Sequence, residues 1–222
     1  KRTWVLHNGT PKSNIVTAVG FYGDRLRFTH GSQGGWNIFG PERRITKSRG
    51  NILYELDGRP ALDLYKEYLG EKAAGLPSTA LLFPLQVRRD RGNSAPLVRT
   101  ILSVNEAEKS MTFAGDVPQG YLAQLMRANF DRLVDGAASA AQTAAAATVI
   151  GPGLTIAISC VGRRLVLGER VEEEVESTLA NMPENFKQVG FYSYGEISPY
   201  VSGAGCELHN QTMTLTSFAE VA

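Results

Sequence analysis

Two consecutive arginines, Arg163 and Arg164, are the side chains in this sequence best suited to bind an acidic group. They follow residues 154–161, LTIAISCV, an apolar run typical of a strand that is buried on both faces. Two guanidinium groups just past the end of such a strand can bind a carboxylate in a bidentate manner. The alternative interpretation of the pair is a salt bridge to a neighbouring glutamate.

A second set of polar side chains lies on two strand-like segments, residues 188–197 and 209–216. Side chains alternate along a strand, so each segment has one apolar and one polar face. Pro199 and the glycines between the segments predict a turn and an antiparallel pairing of the two strands. The polar face is either a solvated sheet surface or the wall of a binding site. Its candidate ligand contacts are Tyr194, Glu196, His209, Asn210 and Thr212.

The residues that catalysis or metal binding would require are poorly arranged. Cys160 and His209 could form a nucleophile and base, but a cysteine within an apolar strand is usually part of the core. The two cysteines form no CxxC motif and have no zinc-ligand spacing with histidine. We therefore predict no enzyme activity, no metal site and a reduced, cytoplasmic setting.

Composition narrows the possible partners. Of the 222 residues, 43% are hydrophobic, which is enough for a core, and the formal net charge is +1. Basic residues are interspersed with acidic ones, so we expect neither nucleic acid nor membrane as a partner. Residues 137–161 carry no charge, but Gly151, Pro152 and Gly153 interrupt them. A helix, a tight loop and a buried strand are therefore preferred to a membrane span.

Three motifs, CVGRRLVLG (160–168), GFYSYGEI (190–197) and LHNQTMTL (208–215), resemble the C-terminal FIST domain, a sensory module of bacterial signalling proteins. The resemblance covers about residues 35–218, and residues 40–70 are similar to the junction between the two halves of the module. It implies that residues 1–50 are the last part of the N-terminal FIST half and that 51–222 are the C-terminal FIST domain. The chain is accordingly expected to be a fragment of a longer protein.

The resemblance also implies a function. A sensory input module would bind a small molecule such as an amino acid and pass the signal to output domains or proteins. Arg163 or Arg164 would bind the ligand carboxylate and Glu196 its ammonium, while Tyr194, Asn210 and Thr212 would fix its orientation.

Three alternatives remain open. Eukaryotic relatives look like substrate receptors of ubiquitin ligases, which would make the chain a protein-interaction module; a hydrolase is the second alternative. Some bacterial members resemble haem-based gas sensors, so His209 and His30 are weighed as axial ligands. No helix pairs a histidine with an apolar stripe, so we expect no cofactor.

The remaining pattern predicts an α+β fold in which a largely antiparallel sheet, made of hairpins and a meander, is covered by about three helices. Expected strands are 14–22 and 25–30 as a hairpin, 51–56, and a meander between 81 and 127. The glycine-rich residues 31–40 predict a turn anchored by aromatic side chains rather than a phosphate loop. Expected helices are 60–70, 130–147 with Asn129 as N-cap, and 169–183.

The last of these helices has an apolar stripe, which predicts its buried face. The stripe consists of Val171, Val175, Leu179 and Met182, and the residues expected on the solvated face are Glu172, Glu173, Glu174 and Glu176.

Overall fold

A computed structural model describes residues 4–92, 96–145, 151–199 and 205–221. Its strands are β1 (Val5–His7), β2 (Thr10–Lys12), β3 (Leu26–Gln33), β4 (Asn37–Arg49), β5 (Ile52–Leu56), β6 (Arg59–Pro60), β7 (Leu85–Arg88), β8 (Leu97–Arg99), β9 (Ile101–Asn105), β10 (Ser110–Phe113), β11 (Leu122–Arg127), β12 (Gly153–Cys160), β13 (Phe186–Ser193), β14 (Glu196–Ser198), β15 (Glu207–His209) and β16 (Met213–Glu220). The α-helices are α1 (Ala61–Leu69), α2 (Phe130–Ala145), α3 (Val161–Leu167) and α4 (Val171–Ala180), with short 3-10 helices at Gly70–Gly75, Ser78–Leu82 and Gly168–Arg170. The predicted α+β class with largely antiparallel sheet is confirmed.

The larger sheet curls on itself. Its strand order is β8-β7-β11-β4-β5-β10-β9, with β6 beside β5, and its pairs are antiparallel. The two end strands, β8 and β9, are separated in sequence by Thr100 alone, which brings both edges of the sheet to the same place. We call this point the seam. The core inside the sheet includes Ile45, Leu53, Met111 and Phe113, each fully buried.

Helix α1 packs onto this core as its spacing predicts. Pro60 precedes its first residue, and Leu62, Tyr65 and Leu69 are all buried. The Tyr65 hydroxyl donates a hydrogen bond to the carbonyl of Phe83 at 2.8 Å, so the polar end of this buried ring is satisfied.

The predicted meander is only partly right. Strands β9 and β10 form the expected local hairpin, but residues 97–104 are divided at Thr100 between β8 and β9. Strand β11 pairs with β7 and with the distant β4, and β10 pairs with β5. The larger sheet is therefore built from strands that are far apart in sequence.

The smaller sheet has the order β13-β12-β16-β3, and β12 is hydrogen-bonded along both edges. This confirms that residues 154–160 form a central strand. The predicted direct pairing of 188–197 with 209–216 is wrong, because β12 lies between β13 and β16 and runs parallel to β13. Within this part of the chain, the short strands β14 and β15 form the hairpin.

The predicted hairpin of residues 14–22 with 25–30 is also wrong. Residues 15–23 have no regular secondary structure, and β3 pairs instead with β16 over eight residues. The pairing with β16 hydrogen-bonds more backbone N–H and C=O groups than a hairpin whose shorter strand, 25–30, has six residues. The glycine-rich region likewise forms only a short turn, residues 34–36, before the long strand β4; Trp36 anchors it by donating a hydrogen bond from Nε1 to the carbonyl of Gln211 at 3.0 Å.

The predicted inward face of helix α4 is only partly right: Val171 and Met182 pack against the core and Glu172 and Glu176 are exposed, as expected. Glu174 and Thr178 are fully buried, while Val175 and Leu179 are 40% and 48% exposed. The cause is a buried cation, Arg163, which pairs with Glu174. One ion pair in a dry environment therefore overrides part of the apolar stripe that the sequence pattern favours.

Helix α2 packs closely on β3 because the residues at the contact are small. Ala137, Ala140, Ala141 and Ala144 are buried on the helix, and Gly31 lies opposite them on the strand. A Cβ atom at Gly31 would lie 2.0 Å from the Ala140 carbonyl oxygen. The predicted helix extended to residue 147, whose last two positions lie outside the described residues.

We expect Gly31→Ala to lower the free energy of unfolding by about 3 kcal/mol, because its methyl group would push α2 away from the sheet. Urea denaturation measures the change. Gly205→Ala is the matched control, since a Cβ there meets no atom within 4 Å. Equal stability of the two variants would contradict the close packing of α2 on β3.

Candidate functional site

Arg163 is part of the structural framework. It is fully buried in the first turn of α3, and its Nε donates a hydrogen bond to Glu174 Oε1 at 2.5 Å. Nη1 donates to the carbonyl of Gly34 and Nη2 to that of Leu133, the latter at 2.7 Å. The second carboxylate oxygen of Glu174 accepts a hydrogen bond from Ser159 at 3.0 Å. Of the two interpretations of this arginine, the structure has the salt bridge.

Arg164 and Tyr194 both point to solvent and do not converge with Arg163. Arg164 is exposed, and its guanidinium carbon lies 5.1 Å from the centre of the Tyr192 ring, a cation–π contact. Tyr194 is 80% exposed. The two arginines therefore do not form the bidentate pair that the sequence suggested.

Glu196 and Thr212 do come together, but in a closed site. Glu196 is 3% exposed, and its Oε1 accepts a hydrogen bond from Ser193 Oγ at 2.5 Å. Its Oε2 accepts hydrogen bonds from Thr212, from Oγ1 at 2.9 Å and from the backbone N–H at 3.4 Å. Burial raises the pKa of Glu196, opposed by these hydrogen bonds. The carboxylate holds the β14–β15 hairpin against the start of β16.

Asn210 ties the seam of the larger sheet to the hairpin. Its Oδ1 accepts a hydrogen bond from the Thr100 backbone N–H at 3.2 Å, and its Nδ2 donates to the carbonyl of His209 at 3.1 Å. His209 is 1% exposed, and its Nε2 is 3.1 Å from the Ser198 carbonyl oxygen. Burial lowers the pKa of His209.

A cleft of about 740 Å³ opens beside the seam. One wall is formed by the end of β7 and by β8, another by residues 115–121, and the third by β15. The volume falls in the range of small-molecule sites. The polar and charged side chains that line the cleft are Arg88, Arg89, Arg99, Asp116, Tyr121, Glu207 and His209.

Charges of both signs face this cleft. Arg88 and Arg91 both bind Glu42, which lowers the pKa of that carboxyl. Asp116 and Glu207 are exposed and form no salt bridge with any cation in the part of the chain that the structure describes. The cleft can therefore offer hydrogen-bond acceptors and donors to one ligand.

Arg99 is the buried cation of the cleft. Its exposed fraction is 5%, and its Nε and Nη1 donate hydrogen bonds to the carbonyls of Asp116 and Leu208, each at 2.8 Å. A Cβ at Gly115 would lie 3.1 Å from Nε, so the absence of a side chain there leaves space for the guanidinium group. Sequence reasoning missed Arg99; the available signal was a single arginine within the apolar segment LVRTIL.

A smaller cavity of about 240 Å³ lies on the other side of β7 and β8. Its lining includes Trp36, Gln86, Val98 and Thr212, and His209 borders both this cavity and the cleft. Of the seven predicted contacts, His209 is thus the one that lines the cleft, and Thr212 lines the smaller cavity.

The two histidines weighed as axial haem ligands, His209 and His30, do not face a common pocket. His209 is buried with its Nε2 in a hydrogen bond to Ser198, so the ring would have to leave its position to reach an iron atom. His30 lies within strand β3 and not on a helix that lines an apolar pocket. No group of three metal-ligating side chains occurs among residues 4–92, 96–145, 151–199 and 205–221. Within the same residues, none of the helices has the length and apolar character needed to cross a membrane.

Comparison with protein families identifies both parts of the chain. Residues 1–59 match the FIST N domain and residues 61–199 match the FIST C domain. The chain belongs to the FIST family, whose domains are sensory domains of signalling proteins and are not known as enzymes. No curated protein and no solved structure is a significant match.

Glu174→Ala is expected to lower the free energy of unfolding by about 3–5 kcal/mol, because it leaves the Arg163 charge buried without a partner. Denaturation by urea measures the loss. Glu172→Ala, at an exposed position on the same helix, should change the stability by less than about 0.5 kcal/mol. A small effect at Glu174 would mean that the ion pair does not hold α4 in place.

A pH-dependent loss of stability is expected from His209. Its pKa in the folded state is below the usual 6.5, so below pH 6.5 the unfolded chain binds more protons at this residue than the folded chain does. Acidification from about pH 7.5 to about pH 5.5 should therefore destabilise the fold, by at most about 1.4 kcal/mol per pH unit. The measurement is the free energy of unfolding of the wild type and of His209→Gln across this range; parallel pH profiles would contradict the assignment.

Proposed function

We propose that this chain is the ligand-binding input module of a signalling protein. It binds a small molecule, such as an amino acid, in the cleft beside the seam, and occupancy of the cleft is passed to signalling output domains or proteins. The observation that carries the proposal is the cleft itself, about 740 Å³ in volume and lined by charges of both signs.

The cleft chemistry supports an amino acid as the ligand class. A free amino acid carries a carboxylate, which arginines bind, and an ammonium, which carboxylates accept. The cleft supplies Arg89 and Arg99 for the first group and Asp116 and Glu207 for the second. His209 is the residue that this proposal retains from the contacts expected from the sequence.

The hairpin of β14 and β15 is suited to report occupancy. Leu208 and His209 of β15 line the cleft, and Asn210 directly follows them and bonds the seam. A ligand that contacts β15 would therefore act on the hydrogen bonds between the two sheets. Glu196 on β14 couples the same hairpin to β16 through Thr212.

We expect a screen of amino acids and related carboxylates to yield compounds that raise the melting temperature by roughly 5–10 °C at a hundred times their Kd. Leu97→Trp should abolish the shift, because the larger side chain fills the cleft that Leu97 lines.

Leu102→Trp is the matched control, since Leu102 is 58% exposed and outside the cleft lining. It should keep the full shift. Compounds that stabilise Leu97→Trp as strongly as the wild type would place binding outside the cleft, and a screen without any stabilising compound would refute ligand binding by this chain.

A further inference from the structure

Arg99 is a cation whose side chain is buried beside the cleft. Within the described residues, the three hydrogen bonds of its guanidinium group go to backbone carbonyls, those of Asp116, Leu208 and Val98. No carboxylate oxygen of the described residues lies within 4.0 Å of it. Burial lowers the pKa of Arg99, and the more distant Asp116 and Glu207 act in the opposite direction.

The other buried arginine among the described residues, Arg163, provides the comparison. Arg163 is fully buried and forms a direct ion pair with Glu174, which is also fully buried. Buried charges in proteins are normally paired in this way, because an isolated charge in a poorly solvated site is costly. Arg99 is buried but has no such ion pair, and it lines a cleft of ligand size.

The unused donor of Arg99 is Nη2. Nε and Nη1 are held by carbonyl oxygens, whereas Nη2 has no hydrogen-bond acceptor within the described ranges. The carbonyls of Asp116 and Leu208, at 2.8 Å each, fix the plane of the guanidinium group on two sides. A donor held in place and partly desolvated loses little entropy on binding an anion and interacts with it strongly.

We propose that Arg99 is the anion-binding residue of the cleft, and that the ligand is recognised through a carboxylate or phosphate group placed against Nη2. This inference rests on the proposed ligand-binding function and narrows its ligands to anions and zwitterions. Arg89, exposed at the mouth of the cleft, supplies a second positive charge. Asp116 and Glu207 favour ligands that also carry a cationic or hydrogen-bond-donating group.

The test uses the whole chain and four probes at constant ionic strength: succinate, L-glutamate, inorganic phosphate and succinamide. Succinamide has the shape of succinate without its charge. At least one of the three anions is expected to raise the melting temperature of the wild type by roughly 5 °C or more near saturation, and succinamide should not. Comparison of the two carboxylates with phosphate identifies which anionic group the site prefers.

Arg99→Gln should weaken binding of the active anion at least about tenfold, because a charge-assisted hydrogen bond is lost. Arg164→Gln is the matched control and should bind like the wild type, since Arg164 lies at Tyr192 and outside the cleft lining. Titration calorimetry gives the Kd values.

Gly115→Ala keeps the test valid if Arg99→Gln does not fold. The added Cβ would lie 3.1 Å from Nε and 3.2 Å from Cζ of Arg99, so it shifts the guanidinium group without removing its charge. We expect about tenfold weaker anion binding in this variant.

The assignment of Arg99 would be overturned if Arg99→Gln, or Gly115→Ala where Arg99→Gln does not fold, bound the anion as tightly as the wild type. It would also be overturned if none of the three anions stabilised the wild type. A different result would separate the two proposals. If neutral or cationic compounds stabilised the wild type and Arg99→Gln equally but not Leu97→Trp, the cleft would bind ligands and the anion site would be refuted. Failure of every compound would refute both.

Discussion

The buried ion pair of Arg163 and Glu174 is the constraint on which the arrangement of the smaller sheet and its helices depends. Two opposite charges are withdrawn from water at a cost that only close contact and further hydrogen bonds can offset. Here the pair also bonds Ser159 on β12, the Leu133 carbonyl on α2 and the Gly34 carbonyl in the turn before β4. One guanidinium group therefore determines how α2, α4 and that turn are placed around the end of the central strand.

The two sheets meet at four consecutive residues, His209, Asn210, Gln211 and Thr212, and each has a separate task. His209 borders both cavities, and Asn210 accepts a hydrogen bond from the seam of the larger sheet. The carbonyl of Gln211 accepts hydrogen bonds from Trp36 and Arg163, and Thr212 holds Glu196. The four residues therefore contact different parts of the structure: the two cavities, the seam, the Trp36 and Arg163 side chains, and Glu196.

The local pattern of apolar and polar residues was sufficient to predict an element when its own side chains determine which of its faces is buried. The central strand, helix α1 and the fold class follow from apolar runs and from spacing. The pairing of strands far apart in sequence could not be predicted, because β3 and β16 are nearly two hundred residues apart and alternation says nothing about the partner. The burial of Glu174 on α4 and the role of Arg99 also lay beyond reach, since both depend on the position of a single buried charge relative to distant groups.

The two family segments meet near residue 60, yet no structural boundary lies there. Strands β3, β4 and β5 precede that point, and they pair with β16, β11 and β10, which follow it. Neither segment therefore contains all the strands of the larger or of the smaller sheet. By the same pairing, two polypeptides divided at residue 60 would each be incomplete, and would regain the fold only by assembling with one another, as in fragment complementation.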